Sequence, residues 1–409
     1  MATQDEIAQA ETQLKLGFDA LDRGNITQAN RAYADAEKLA GADLEGVRDA
    51  QALHAAAVIG AQLGKAPAER FLERALDAYT KEPATPRKAN ATAMYGFMLA
   101  TEGRHAFAIP VMEDALSQYE ALGDHVQEAN AHFNLGISYA AQRDPVTAAQ
   151  QFKRALAVAR SLPGAQEGAY APIYQNLGAA LLDADDAAGA AEALQRAAAI
   201  YQRSGAHPQN VADCYFGIGR ALAARERWED AAAAYGQAVS VLEAAHITTA
   251  QSQEARGTYR HQQAVALARG GQVAEAVAPM KAAVAAYRTA GEDVPAAHTT
   301  GLVGDLYAQL GETKKAAHYF SDAVRALRQF LTSVGEADPT DENGQAGAEG
   351  QASAGKRATA GKQSVAGAAF GATASDTSTS QERAVVALTT RAQEDLAEFA
   401  AKLKAVAGA

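Results

Sequence analysis

A single cysteine, Cys214, stands in a chain of 409 residues. One thiol builds neither a disulfide framework nor a cysteine-ligated metal cluster, and it fits a reducing compartment, so a cytoplasmic location is expected. Aromatic residues are scarce at 6% while alanine is abundant, a balance that favours helix and fits a GC-rich bacterial genome. No run of about 18 uninterrupted apolar residues occurs, so no membrane insertion is expected. The opening MATQDEIAQAETQLKLGFDAL has no basic region followed by an apolar stretch, so no signal peptide is expected either. Basic charge is not in excess: the formal net charge is −11. That argues against nucleic acid as a partner, because phosphate binding needs a clustered basic surface.

Catalytic signatures are missing as well. There is no H-E-x-x-H, no GxxxxGK[ST] and no GxSxG. The nine histidines are scattered. His125 and His132 lie two helical turns apart, but no carboxylate is spaced to complete a metal site with them. The acidic stretch GEADPTDENG lacks the spacing and terminal Glu of a calcium loop. Cys214 has no catalytic neighbour and reads as a small packing hydrophobe. No catalytic residue, cofactor or metal is expected, and the chain is not read as an enzyme.

What the sequence does have is a repeat. In NLGISYAAQRDPVTAAQQFKRALAVA, with Gly136 as position zero, Ala148 is at twelve, Phe152 at sixteen and Ala155 at nineteen. The zero position recurs as Gly17, Ala56, Gly96, Gly136, Gly178, Gly219, Ala264 and Gly304. Alanine fills position twelve in all eight copies, from Ala29 to Ala316, and position nineteen in all eight, from Ala36 to Ala323. Position sixteen is always large: Tyr33, Leu72, Met112, Phe152, Leu194, Tyr235, Met280 and Phe320. Small residues at zero, twelve and nineteen let two helices approach closely, and the large ones at three and sixteen are expected to fill the space between neighbouring pairs. Gly24, Gly103, Gly270 with Gly271, and Gly311 mark the turns. Asp144-Pro145 supplies an N-cap and a first-turn proline. Pro279 lies beyond the first turn of its helix, so a kink is expected there. One pair cannot bury its apolar stripe alone; stacked pairs can.

These motif residues resemble the tetratricopeptide repeat family over about residues 8–334, in the long-spaced form similar to kinesin light chain repeats. The resemblance implies an all-α, right-handed superhelical solenoid of about eight helix pairs. Residues 1–334 are expected to form it. Residues 335–380, rich in Gly, Ala, Ser and Thr, read as a flexible linker. Residues 381–409 read as an amphipathic helix, with Val385, Leu388, Ala392, Leu396, Phe399, Leu403 and Val406 on one stripe. Such a helix is marginal alone and needs a surface. It can cap the last repeat, dock in the groove in cis or from another protomer, or pair with a partner.

In this family the first helix of each pair lines the concave face that holds a partner peptide or helix. Carried onto this chain, positions −6, −3, −2, +1, +4 and +5 give Leu14, Phe18, Leu21, Met94, Phe97, Phe133 and Ile137 as apolar candidates. The polar ones are Asn90, Asn130, Asn134, Gln175 and Asn176, then Arg220, His261, Gln262, Arg269 and His298. An amide offers both donor and acceptor, which suits a peptide backbone; it can equally bond a neighbouring helix. Phe97, Phe133 and Ile137 are expected to pack between repeats. Leu14 and Phe18 stand where a chaperone-tail clamp needs Lys and Asn, so that ligand is not expected. The reading is a non-enzymatic interaction scaffold. The alternative is self-assembly, with the C-terminal helix bridging protomers.

Overall fold

The computed structural model describes residues 2–41, 43–62, 68–80, 83–164, 166–336, 340 and 376–408. The chain divides into two compact units, Met1–Ala165 and Gln166–Ala409. Among the described residues the regular structure is helical throughout.

In the first unit, antiparallel partners are α1 (Gln4–Asp22) with α2 (Ile26–Ala40), α3 (Ala50–Gln62) with α4 (Ala68–Tyr79), α5 (Pro86–Thr101) with α6 (His105–Leu122), and α7 (His125–Ala141) with α8 (Pro145–Ser161). The second unit pairs α9 (Ala171–Asp183) with α10 (Ala187–Ser204), α11 (Pro208–Ala224) with α12 (Trp228–Ala244), α13 (Ala250–Arg269) with α14 (Val273–Ala290), and α15 (Asp293–Gln309) with α16 (Thr313–Ser333). A further helix, α17 (Asp376–Ala407), packs mainly on α16 and more lightly on α15. Most of the expected linker, 335–380, lies outside the described residues. The final helix begins five residues ahead of the expected boundary and runs for 32 residues.

The small columns do what their spacing implies. Every residue at position nineteen is fully buried, and so is every one at position twelve except Ala68. Position sixteen packs on the zero glycine of its own pair: Phe152 covers Gly136, Leu194 covers Gly178, Tyr235 covers Gly219 and Phe320 covers Gly304. It also meets the following pair, as expected: Leu194 reaches Gly217 of α11, and Met112 Sδ accepts from Ser138 Oγ of α7. At these four glycines any side chain larger than hydrogen would meet the ring or branch beneath it. In the first repeat, where Ala20 replaces the large residue at three, Ile59 of the next pair reaches across to Gly17.

The turns inside the pairs share one backbone solution. Position seven is left-handed in every described case: Gly24, Gly103, Gly271 and Gly311, but also Arg143, Asp185 and Glu226. The following amide bonds back to the helix end, as in Asn25 N to Ala20 O at 2.8 Å, closing the first helix with a six-to-one bond. Asp144 then caps α8 by accepting from Thr147 N at 3.1 Å, with Pro145 in the first turn. α14 runs unbroken through Pro279 and α6 through Pro110, so each helix accommodates one missing N–H without ending.

Candidate functional site

The candidate surface is built from the first helices. In the first unit it lies on α5 and α7. Phe97 and Ile137 hold the same place, one residue after zero, in consecutive pairs. Both are open to solvent, at 53% and 38% exposure. The expectation that they pack between repeats is corrected: the zero glycine turns the buried face of the helix toward the second helix, and the next residue points away. Phe133 is half-buried, with its ring 5.7 Å from that of Phe152 on the second helix of its own pair.

The amides separate into two groups. Asn90 accepts from the Tyr119 hydroxyl at 2.8 Å, and Gln175 accepts from Tyr201 at 2.9 Å. Asn176 donates to Pro172 O in its own helix at 2.9 Å, and Asn130 donates to Gln127 at 3.3 Å. These bonds hold the pairs together or stay within one helix. Asn134 is different: it is half-buried, and no described residue bonds its amide. It stands three residues before Ile137 on α7.

In the second unit, Arg220 is exposed and sits 3.8 Å from Asp183. Arg269 stacks over Trp228 at 5.2 Å. His261 stacks on His298 at 6.3 Å and contacts Thr299 at 3.3 Å. Burial first, and the neighbouring His298 second, push its pKa down to about 4. It is therefore neutral at physiological pH and is no cationic anchor.

With this geometry established, two stretches, 88–161 and 170–244, match the family described as Tetratricopeptide repeat. These two stretches carry tetratricopeptide repeats. The matched stretches hold the pairs α5 to α8 and α9 to α12. Among solved structures, the crystal structure of MamA protein is 20% identical, covering 50% of this chain and 94% of that one, with a TM-score of 0.39. A putative kinesin light chain from Podosopora anserina is 17% identical, covering 50% and 98%, with a TM-score of 0.43. Aspartyl phosphate phosphatase F from Bacillus subtilis is 12% identical, covering 81% and 91%, with a TM-score of 0.45. No function is carried over from them. No curated protein sequence matches the chain. The two matched stretches form an interaction scaffold of tetratricopeptide repeats, and no described helix is long and apolar enough to cross a membrane.

The last helix pair, α15 with α16, is covered by α17. Ala392, Leu396 and Phe399 are fully buried against α15 and α16, with Leu388, Leu403 and Val406 at the margin. Val385 stays exposed, so the stripe engages from Leu388 onward. Phe399 lies against Gly301 and stacks on Phe320. Asp395, only 2% exposed, bonds His298 Nδ1 at 3.0 Å and Arg391 Nε at 3.1 Å. Lys402 bonds Asp305 at 2.9 Å. α17 thus reaches positions −6, −3 and +1 of the final first helix.

Two features escaped the sequence reading. Tyrosine recurs 23 residues after zero, as Tyr79, Tyr119, Tyr201 and Tyr287. Three of these bond a polar residue on the first helix of their own repeat: Asn90, Gln175 and Thr258. That column was visible and explains two of the candidate amides. The other is a cluster of Glu120, Glu128 and His132, whose ligand atoms lie within 4.8 Å of one another. The expectation that no carboxylate joins His132 is corrected, because Glu120 comes from the end of α6, across a turn.

Proposed function

We propose that the protein is a non-enzymatic adaptor that holds an extended peptide or helix of a partner protein on the first-helix face of its repeats, centred in the first unit on Phe97, Asn134 and Ile137. The observation that carries this reading is the register of Phe97 and Ile137. Two large apolar side chains occupy equivalent places in successive repeats and both remain exposed, and Ile137 stands one helical turn from an unbonded amide. Apolar anchors flanking a group able to both donate and accept suit a peptide, which offers side chains and backbone together. Asn90, Gln175 and Asn176 lend rigidity instead of contacting the ligand. In the second unit, taken by itself, Arg220 and Arg269 stand on first helices, where their charge suits acidic side chains of a ligand.

In the same reading, α17 caps the second unit. It packs on the preceding pair as α11 packs on α10 and α9, strongly on the second helix and lightly on the first. An uncapped end would expose Gly301, Phe320 and the rest of that apolar seat.

The test is selection of a displayed random peptide library on the immobilised full-length chain. A shared sequence pattern whose binding is lost in Asn134→Ala and in Phe97→Asp, with helicity unchanged, is expected. Enriched peptides indifferent to both changes, or no enrichment at all, would contradict the reading.

A further inference from the structure

We propose that Glu120, Glu128 and His132 form a binding site for a divalent transition metal of the zinc class, independent of the peptide surface. Glu120 lies in the last turn of α6, and Glu128 and His132 are four residues apart on α7, one turn along the same face. Their ligand atoms converge within 4.8 Å. His132 is the informative member. It is 4% exposed, its Nδ1 is held by Gln151 Oε1 at 2.7 Å, and no described residue bonds Nε2. A buried imidazole with one nitrogen engaged by an amide oxygen and the other left without a partner is arranged as a metal ligand. The amide oxygen accepts a hydrogen bond from Nδ1–H, which fixes the tautomer and leaves the Nε2 lone pair free.

The charges point the same way. Two carboxylates held this close repel each other. Glu120 is further disfavoured where it stands, because negative charge at a helix C-terminus opposes the dipole. A divalent cation relieves both and ties the end of α6 to α7. One imidazole with two carboxylates is a donor set for zinc or manganese, not for a thiolate-seeking metal. Three protein donors leave a fourth position for water. His125, whose Nδ1 lies 2.7 Å from Glu128 Oε2, is placed to orient that carboxylate.

The experiment is equilibrium dialysis of the tag-free, full-length chain against zinc chloride alone, with cobalt substitution read by its visible absorption. One equivalent is expected, with tenfold or greater loss of affinity in Glu128→Gln and in Glu120→Gln. Glu120 is exposed, so its replacement leaves folding undisturbed. Gln151→Ala removes only the supporting bond and is expected to weaken binding about 10- to 100-fold. Absence of zinc uptake, or uptake unchanged in Glu120→Gln and Glu128→Gln, would overturn the site.

Discussion

The ring of Phe399 in α17 occupies the space that Gly301 in α15 leaves by having no side chain. A methyl group at 301 would overlap the ring, so helix seat and glycine are one feature. Gly301→Ala is expected to loosen α17, at the 1–3 kcal/mol typical of overpacking a tight contact. Hydrogen exchange reads this directly: amide protection in α17 should fall about fivefold or more while that of α11 and α12 holds. Unchanged protection in α17 would contradict the seat.

The zero glycines make a second prediction. Gly136→Ala places a methyl against Phe152, within a pair already in contact. A loss of about 1–3 kcal/mol is expected in urea unfolding. Gly168, where an added methyl meets nothing, is the control. Gly168→Ala should change stability by no more than about 0.5 kcal/mol. Equal losses at the two positions would argue against the packing described.

Position seven of the turns offers a gain. Arg143 and Glu226 hold left-handed backbone that Gly24 and Gly311 hold at their equivalent places. An L-residue there costs roughly 1–2 kcal/mol, partly offset by the freedom glycine restores to the unfolded chain. Glu226→Gly is therefore expected to stabilise its repeat by about 0.5–1 kcal/mol, seen as a higher urea midpoint. A lower midpoint would show that the Glu226 side chain contributes more than its backbone costs.

Two histidines make stability depend on pH. His54 and His261 are both pushed down to about 4, by burial first and then by Arg87 and His298 respectively. Below the ordinary value near 6.5 the unfolded chain takes up protons that the folded chain refuses. Their contribution is complete above about pH 6.5 and is lost as pH falls toward 4, by on the order of 3 kcal/mol for each. His54→Gln should flatten that dependence in the first unit, measured by urea unfolding at pH 7 and pH 4.5. A slope unchanged by the substitution would refute the assignment.

Helix pairing was legible in the sequence because it rests on periodic small residues: Ala148 and Ala155 are buried where their spacing put them. The α17 stripe was legible for the same reason. Contacts that depend on which way a side chain leaves its helix were not. Phe152 covers Gly136 within its own pair, a contact that the spacing of position sixteen alone does not single out. Phe97 and Ile137 looked like core by their chemistry, yet one step from the glycine they face solvent. Asp395 gave no sign of being buried, since its partner His298 lies 97 residues away. Glu120 and His132 share no helix, so no single-helix spacing could join them.

The central claim is that a partner lies over the exposed first-helix residues of the first unit. A photoreactive amino acid placed at Ile137, and as control at the exposed Lys153 on α8, tests it in the source cell. A protein crosslink at 137 and none at 153, abolished by Asn134→Ala in the same chain, is the predicted result. No crosslink at 137, or an equal one at 153, would contradict it.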